Sequence, residues 1–293
     1  MRVEFQSVGK RFGSFTALAD IDLVLESGTR AALVGPNGSG KSTLVRMAMG
    51  MLAGTGGIRL GGIDPWRDWP ALAHRVVYVP QIAPRFWAPV REVVAAVARL
   101  RRIDRDRIAA IAKRFDLDLE ALAARPFRAL SGGMRQKVLA ALSLAARSEL
   151  LLLDEPTASM DPRSRAVFFE LLDELPGAPT VVLCSHRVEE IRRQVEQVVV
   201  LADGRLQWHG PTDTYLGTRT EAVVEVAVRG DEAARWLDAN GFASGRSGWW
   251  TRSVATAARA DAVREVLHQI DGSIVDLMVR DHDRATPGTE NGA

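Results

Sequence analysis

The sequence predicts an α/β protein on a largely parallel sheet, followed by a small α+β unit. Three observations carry this. Short apolar runs alternate with helical segments from Arg30 to about Gln194. The glycine-rich stretch Gly35-Pro36-Asn37-Gly38-Ser39-Gly40-Lys41-Ser42-Thr43 lies between the first of these runs and a helical segment. From residue 218 the order becomes β-α-β-β-α-β, which suits a split-βαβ, ferredoxin-like sandwich.

Residues 2–34 read as short strands. Val3-Glu4-Phe5 alternates, and Ile21 to Leu25 alternates before the turn at Ser27-Gly28. Between them, Phe12 precedes Gly13, where an exposed ring could stack on a base or simply cover a strand edge. Arg30 to Val34 is a buried strand, and Thr43 to Met49 has helical composition. Five glycines around Ile58-Arg59-Leu60 suggest a hairpin over Gly54–Gly62, and Arg75 to Val79 reads as another buried strand ending at Pro80-Gln81. From about 85 to 148 the composition turns helical, as a lobe of its own. Val90, Val93, Val94, Val97 and Leu100 form one apolar stripe there. The arginines at 99, 101, 102, 105 and 107 read as a solvated face, or as a surface for an acidic partner or anionic lipid.

Leu130 to Gln136 opens a long helix with Ser131 as its N-cap, and Gly132 and Gly133 leave the first N–H groups open. Leu150-Leu151-Leu152-Leu153 is a strand buried on both faces, and Asp154-Glu155 stand at its carboxyl end. Two adjacent carboxylates there are costly unless a cation needs them. Asp161-Pro162 starts a helix, Thr180 to Cys184 is a strand closed by Ser185-His186, and a last hairpin turns at Asp203-Gly204. Domains therefore fall at 1–217 and 218–280, with a polar, disordered tail over 281–293.

The glycine-rich stretch fits G-x-x-x-x-G-K-[ST], a phosphate-binding loop. Its glycines allow successive N–H groups to converge on one anion, and the following helix adds the positive end of its dipole. Lys41 would reach the β- and γ-phosphates, and the Ser42 hydroxyl would bind Mg²⁺. Composition is that of an ordinary globular protein, 47% hydrophobic and 25% charged in 293 residues. A net charge of +2 gives no argument for nucleic acid, and none is expected as a partner. The single cysteine, Cys184, excludes an intrachain disulfide and a cysteine-cluster metal site. Neither a signal-peptide segment nor a run of 18 apolar residues is present, so membrane work would need other spanning chains.

Taken in order, Gly35–Thr43, Gln81, Leu130–Gln136, Leu150–Pro156, Ala158–Asp161 and Ser185-His186 resemble the nucleotide-binding subunit of an ATP-binding cassette (ABC) transporter, over residues 1 to about 216. The resemblance implies the P-loop ABC-ATPase core, ATP and Mg²⁺ as cofactors, and ATP hydrolysis coupled to transport. It implies a dimer, homo- or heterodimeric, in which Ser131, Gly132 and Gly133 grip the γ-phosphate bound to the other subunit. Phe12 would stack on adenine. The loop residues Gly35, Pro36, Asn37, Gly38, Ser39, Gly40, Lys41, Ser42 and Thr43 would hold the phosphates. Ser42, Asp154 and Gln81 would serve Mg²⁺, Glu155 would act as general base, and His186 would contact the γ-phosphate. An integral-membrane permease is the implied partner, placing the chain peripherally at the cytoplasmic membrane face. The C-terminal unit resembles that of ABC-2 type exporters, so export is expected; an importer subunit or a soluble ABC ATPase is the alternative. Departures are Phe12 where tyrosine is common, Met134-Arg135 in the signature and Ser159-Met160-Asp161 after the carboxylates. None touches Lys41, Asp154, Glu155 or His186.

Overall fold

In the computed structural model, which describes residues 1–185, 187–245, 248–255 and 258–283, the chain divides into two units. One is Met1–His186 with Gln194–His209, and the other is Arg187–Arg193 with Gly210–Ala293.

In the first unit, β1 (Val3–Phe12) and β2 (Phe15–Leu25) form one long antiparallel hairpin rather than short strands. Register shifts between Phe5 and Val8 and again to Lys10 break the alternation that would betray its length. β3 (Arg30–Val34) leads through the glycine-rich loop into α1 (Lys41–Ala48), and β4 (Thr55–Leu60) returns to pair with β1. The hairpin expected over Gly54–Gly62 is therefore a single strand. It ends in a tight turn through Gly61 and Gly62, both at positive φ, closed by Leu60 and Ile63.

After the one-turn α2 (Trp69–Leu72) comes β5 (Val76–Val79), then a helical stretch. It comprises α3 (Val90–Arg101), α4 (Arg105–Arg114) and α5 (Gly132–Ala145). Val90, Val93 and Val94 of α3 are buried as expected, but Leu100 is 71% exposed and Ala98 is buried instead. Leu100 lies at the edge of the apolar stripe, one residue from the helix end. β6 (Leu150–Asp154), α6 (Pro162–Asp173) and β7 (Thr180–Cys184) follow. Asp161 caps α6, accepting from the Ser164 N–H at 2.8 Å, with Pro162 at the first helical position. α7 (Val188–Gln194) precedes β8 (Gln197–Ala202) and β9 (Arg205–Pro211), which are joined by Asp203 and Gly204 at φ 49° and 71°.

The main sheet has the order β5-β6-β7-β3-β8-β9 and is parallel from β5 to β8. Every residue of β6 and β7 is buried, which explains their unbroken apolar runs. The second sheet, β2-β1-β4, is antiparallel. α1 is the wedge between them. Its Leu44, Val45, Met47 and Ala48 join Val3, Phe5, Leu23 and Leu25 on one side to Leu33, Leu152, Val182 and Val199 on the other. Anchored this way, the start of α1 is fixed at the carboxyl ends of β3 and β6.

Besides nearly all of α7, the second unit holds α8 (Thr212–Arg219), β10 (Thr220–Val228), α9 (Asp231–Ala239), β11 (Ala243–Ser244), β12 (Trp249–Ala255), α10 (Arg259–Ile270) and β13 (Ile274–Asp283). Its antiparallel sheet has the order β11-β12-β10-β13, the split-βαβ arrangement. Val224 and Val226 of the sheet are buried with Leu237 of α9 and Val266 of α10. The break expected at 218 falls at Gly210, since α8 belongs with the strand it precedes. Residues 281–283, expected in a disordered tail, form the last rungs of β13 opposite Ala222, Glu221 and Thr220. Backbone pairing with β10 extends the strand past the point where side-chain polarity suggests an end.

Leu237 is fully buried, so Leu237→Ala should cost the second unit about 2–5 kcal/mol. Urea denaturation followed by tryptophan fluorescence measures this, with Trp236, Trp249 and Trp250 as local probes.

Candidate functional site

A cleft of about 660 Å³ opens where β3, β6 and β7 end. It is lined by Phe12, Phe15 and Ala17 of the hairpin, by all of Gly35–Thr43, and by Gln81, Asp154, Glu155 and Ser185. Carboxyl ends of parallel strands are where such folds bind ligands.

The loop's path demands glycine at particular points. A Cβ on Gly35, at φ 150°, would sit 2.0 Å from the Leu201 carbonyl oxygen at the end of β8. A Cβ on Gly40, at φ 102°, would meet Leu18 Cδ2 at 2.6 Å and the Ala17 carbonyl at 2.8 Å. Gly38 is different: its φ is 83°, but no atom lies within 4 Å of an added Cβ. The loop is therefore clamped at both ends and open at its crown. Gly40 precedes α1 as a cap without a side chain, so the first-turn N–H groups meet no side-chain acceptor. The Lys41 ammonium donates to the carbonyls of Gly35 at 2.7 Å and Pro36 at 2.9 Å. Burial lowers its pKa, while Cys184, Glu155 and Asp154 act the other way.

Asp154 is only 5% exposed, and the Tyr78 hydroxyl lies 3.5 Å from its Oδ2. Burial and this carboxylate both raise the Tyr78 pKa. Glu155 takes the left-handed conformation, φ 48°, with its N–H donating to the Cys184 carbonyl at 3.0 Å. That single turn of backbone separates the roles of two consecutive carboxylates: Asp154 finishes a buried strand, and Glu155 leaves it. Cys184 is fully buried, and burial raises its thiol pKa well above the ordinary value, as befits an inert core thiol.

The hairpin contributes two rings. Phe12, 47% exposed, carries the Lys10 ammonium 4.9 Å from its centroid, and Phe15, its cross-strand partner, is 60% exposed. Phe15 was not anticipated from sequence; the signal was an aromatic on each side of the Gly13 turn.

Ser131, Gly132 and Gly133 do not line the cleft. Ser131 Oγ caps α5, accepting from the Met134 N–H at 3.2 Å. His186 lies outside the described residues. Gln136, the last residue of the Leu130–Gln136 stretch and given no role of its own from sequence, is 1% exposed and donates through Nε2 to the carbonyls of Pro80 at 3.3 Å and Pro156 at 3.0 Å. It ties α5 to the two loops that carry Gln81 and Glu155. Next to it, Lys137 pairs with Asp161 at 3.0 Å.

Known proteins share this plan. The family model described as "ABC transporter" matches residues 18–158. A hemin import ATP-binding protein of Streptomyces coelicolor is 38% identical over 208 residues, 68% of this chain and 74% of its own length. The chain belongs to the ABC transporter ATP-binding subunits. A phosphate import ATP-binding protein of Natronomonas pharaonis is 32% identical, covering 76% of this chain and 85% of the relative. Similarity to an arabinose import ATP-binding protein of Rhizobium meliloti, 34% identical, covers 78% of this chain but 46% of that protein. The chain thus spans about half of that relative, and 66% of a sulfate/thiosulfate import ATP-binding protein of Thermosynechococcus vestitus. A solved ATP-binding subunit of an ABC transporter superposes with a TM-score of 0.67 at 22% identity, over 73% of this chain and 91% of that one, which supports the fold.

The ABC-subunit residues fit a nucleotide on the structure's own terms: a clamped glycine loop, an uncapped helix start, an ammonium beside it and two exposed rings at the rim. For Mg²⁺, no cluster of three or more His, Cys, Asp or Glu exists among the described residues. The donors at hand are the Ser42 hydroxyl, Gln81 and Asp154, a sparse set that suits an ion bound largely through phosphate and water.

The two clearances separate the glycines experimentally. Gly35→Ala should abolish ATP binding and lower the melting temperature, because its methyl meets a backbone carbonyl. Gly38→Ala, strained only through φ, should cost about 1–2 kcal/mol and keep measurable ATP affinity by calorimetry.

Proposed function

We propose that this chain binds and hydrolyses ATP to drive a transporter whose membrane-spanning part is a separate chain. The observation that carries the reading is the convergence of Lys41, Ser42, Asp154 and Glu155 on one cleft. Among the described residues no helix is long and apolar enough to cross a membrane, in keeping with a peripheral subunit on a permease.

Phosphoryl transfer calls for positioning and charge stabilisation above all. The loop N–H groups and Lys41 hold the β- and γ-phosphates. Ser42 and Asp154 would hold Mg²⁺, which would supply charge neutralisation on the transferred group. Glu155, turned out of the strand end by its left-handed backbone, accepts a proton from the attacking water. Gln81, exposed after β5, orients that water or the metal and passes closure to the permease. His186 contacts the γ-phosphate, and Phe12 stacks on adenine, with Phe15 beside it. Ser131–Gly133, lying outside this chain's cleft, complete the site of a second copy or of a related subunit in a dimer.

Import is the direction we favour. The relatives named above carry import in their names, which weighs against the export expected from the C-terminal unit. Residues 218–280 act in regulation or in contacts with other chains.

Glu155→Gln should keep ATP affinity and lower turnover by about 10²–10⁴-fold. Phosphate release with purified protein measures this; turnover at the wild-type rate would remove Glu155 from the base role.

A further inference from the structure

A second pocket of about 480 Å³ lies where α3 ends, α4 begins and α5 ends. It shares no lining residue with the nucleotide cleft. Its polar lining is mostly cationic: Arg101, Arg102, Arg107 and Arg147 stand beside His74, with Asp104 as the one carboxylate. Asp104 is already engaged, capping α4 by accepting from the Asp106 N–H at 3.0 Å.

The arginines are not simply a solvated face. Arg101 is half-buried, and its guanidinium is fixed by donating to the carbonyls of Ala73 at 3.0 Å and Val76 at 2.8 Å. Carbonyl dipoles orient it but leave its charge without a counter-ion, and burial lowers its pKa accordingly. Arg107 is also half-buried. The Nε atoms of Arg101 and Arg107 are both buried without an acceptor. Among the described residues none of the four arginines forms an ion pair with a carboxylate, although arginines elsewhere in the unit do, such as Arg75 with Glu149 and Arg114 with Glu174.

Arg102 adds a conformational observation. It ends α3 in the left-handed region, φ 55°, where the following Ile103 N–H returns to the Ala98 carbonyl at 2.8 Å. Glycine is the residue that adopts this conformation without a steric cost. Here the chain places a guanidinium at that point, on the rim of the pocket.

Four guanidiniums around one pocket, outnumbering its single carboxylate and ion-paired to none, match a multiply charged oxyanion, since each planar fork can bond two oxygens. We propose that this pocket binds a phosphoryl group, as free phosphate or pyrophosphate, or as a phosphate monoester headgroup. The pocket is set at the carboxyl end of α5, whose N-cap is Ser131 and whose second turn carries Gln136. A ligand there contacts the same rigid helix that touches both catalytic loops.

The test uses the full chain with its nucleotide cleft saturated by ADP, so that the phosphate loop cannot report. Pyrophosphate titrated calorimetrically should show one further site. The triple variant Arg102→Gly, Arg107→Gln, Arg147→Gln should weaken it by about tenfold or more, since losing even one charge-assisted contact accounts for a factor of about ten. Its urea midpoint should stay close to that of the parent, because Arg102→Gly relieves strain and none of the three forms an ion pair. Co-sedimentation with phosphatidylcholine vesicles containing phosphatidic acid distinguishes the sources. Binding to vesicles that the triple variant loses assigns the phosphoryl group to a lipid, and pyrophosphate binding alone assigns it to a soluble ligand. Absence of both, or affinities unchanged in the folded triple variant, would overturn the proposal.

Discussion

The close approach of the loop at Gly35–Gly40 to two different sheets is the constraint on which the first unit depends. At one end the loop lies against the β8 carbonyl of Leu201, and at the other against Ala17 and Leu18 of β2. Both approaches are too near for any side chain. With its ends held, the crown between them is fixed in place, and α1 must leave at one angle between the sheets. The core around α1 then does the reverse service, since Leu44, Val45 and Ala48 bind the antiparallel sheet to the parallel one. Phosphate site and hydrophobic core are thus two sides of the same helix.

Much of this was legible because it is local. A glycine spacing, an apolar run ending in Asp154-Glu155 and a serine before two glycines each announce themselves within a few residues. The split-βαβ order of the second unit was legible for the same reason: each strand and helix keeps its own period. What stayed hidden depends on distance along the chain. Gln136 looks like any helix residue until Pro80 and Pro156 are brought to its amide. Phe15 becomes part of a rim only because the hairpin is long, and bulges concealed that length. Arg101 read as solvated because sequence cannot show the Ala73 and Val76 carbonyls that enclose it. The glycines of 54–62 misled for a different reason, as they serve a strand pressed against a bulged partner rather than two strands of their own.

The family resemblance was carried by motifs, and motifs report the ATP-driven part well. Cargo and direction belong to surfaces outside them. The exporter-like reading came from the order of elements in the second unit, a pattern many unrelated proteins use. Import-protein relatives matched over two thirds or more of this chain outweigh an argument from fold alone.

Glu155 shows how chemistry and robustness diverge at one position. Its φ of 48° belongs to a region that costs a glutamate on the order of 1 kcal/mol and glycine nothing. Laboratory selection for heat resistance alone would therefore be drawn to replace this residue early, and would obtain a tougher protein without the carboxylate that the proposed mechanism uses as its base. The position marks where a thermostabilisation campaign on this chain must be told not to go.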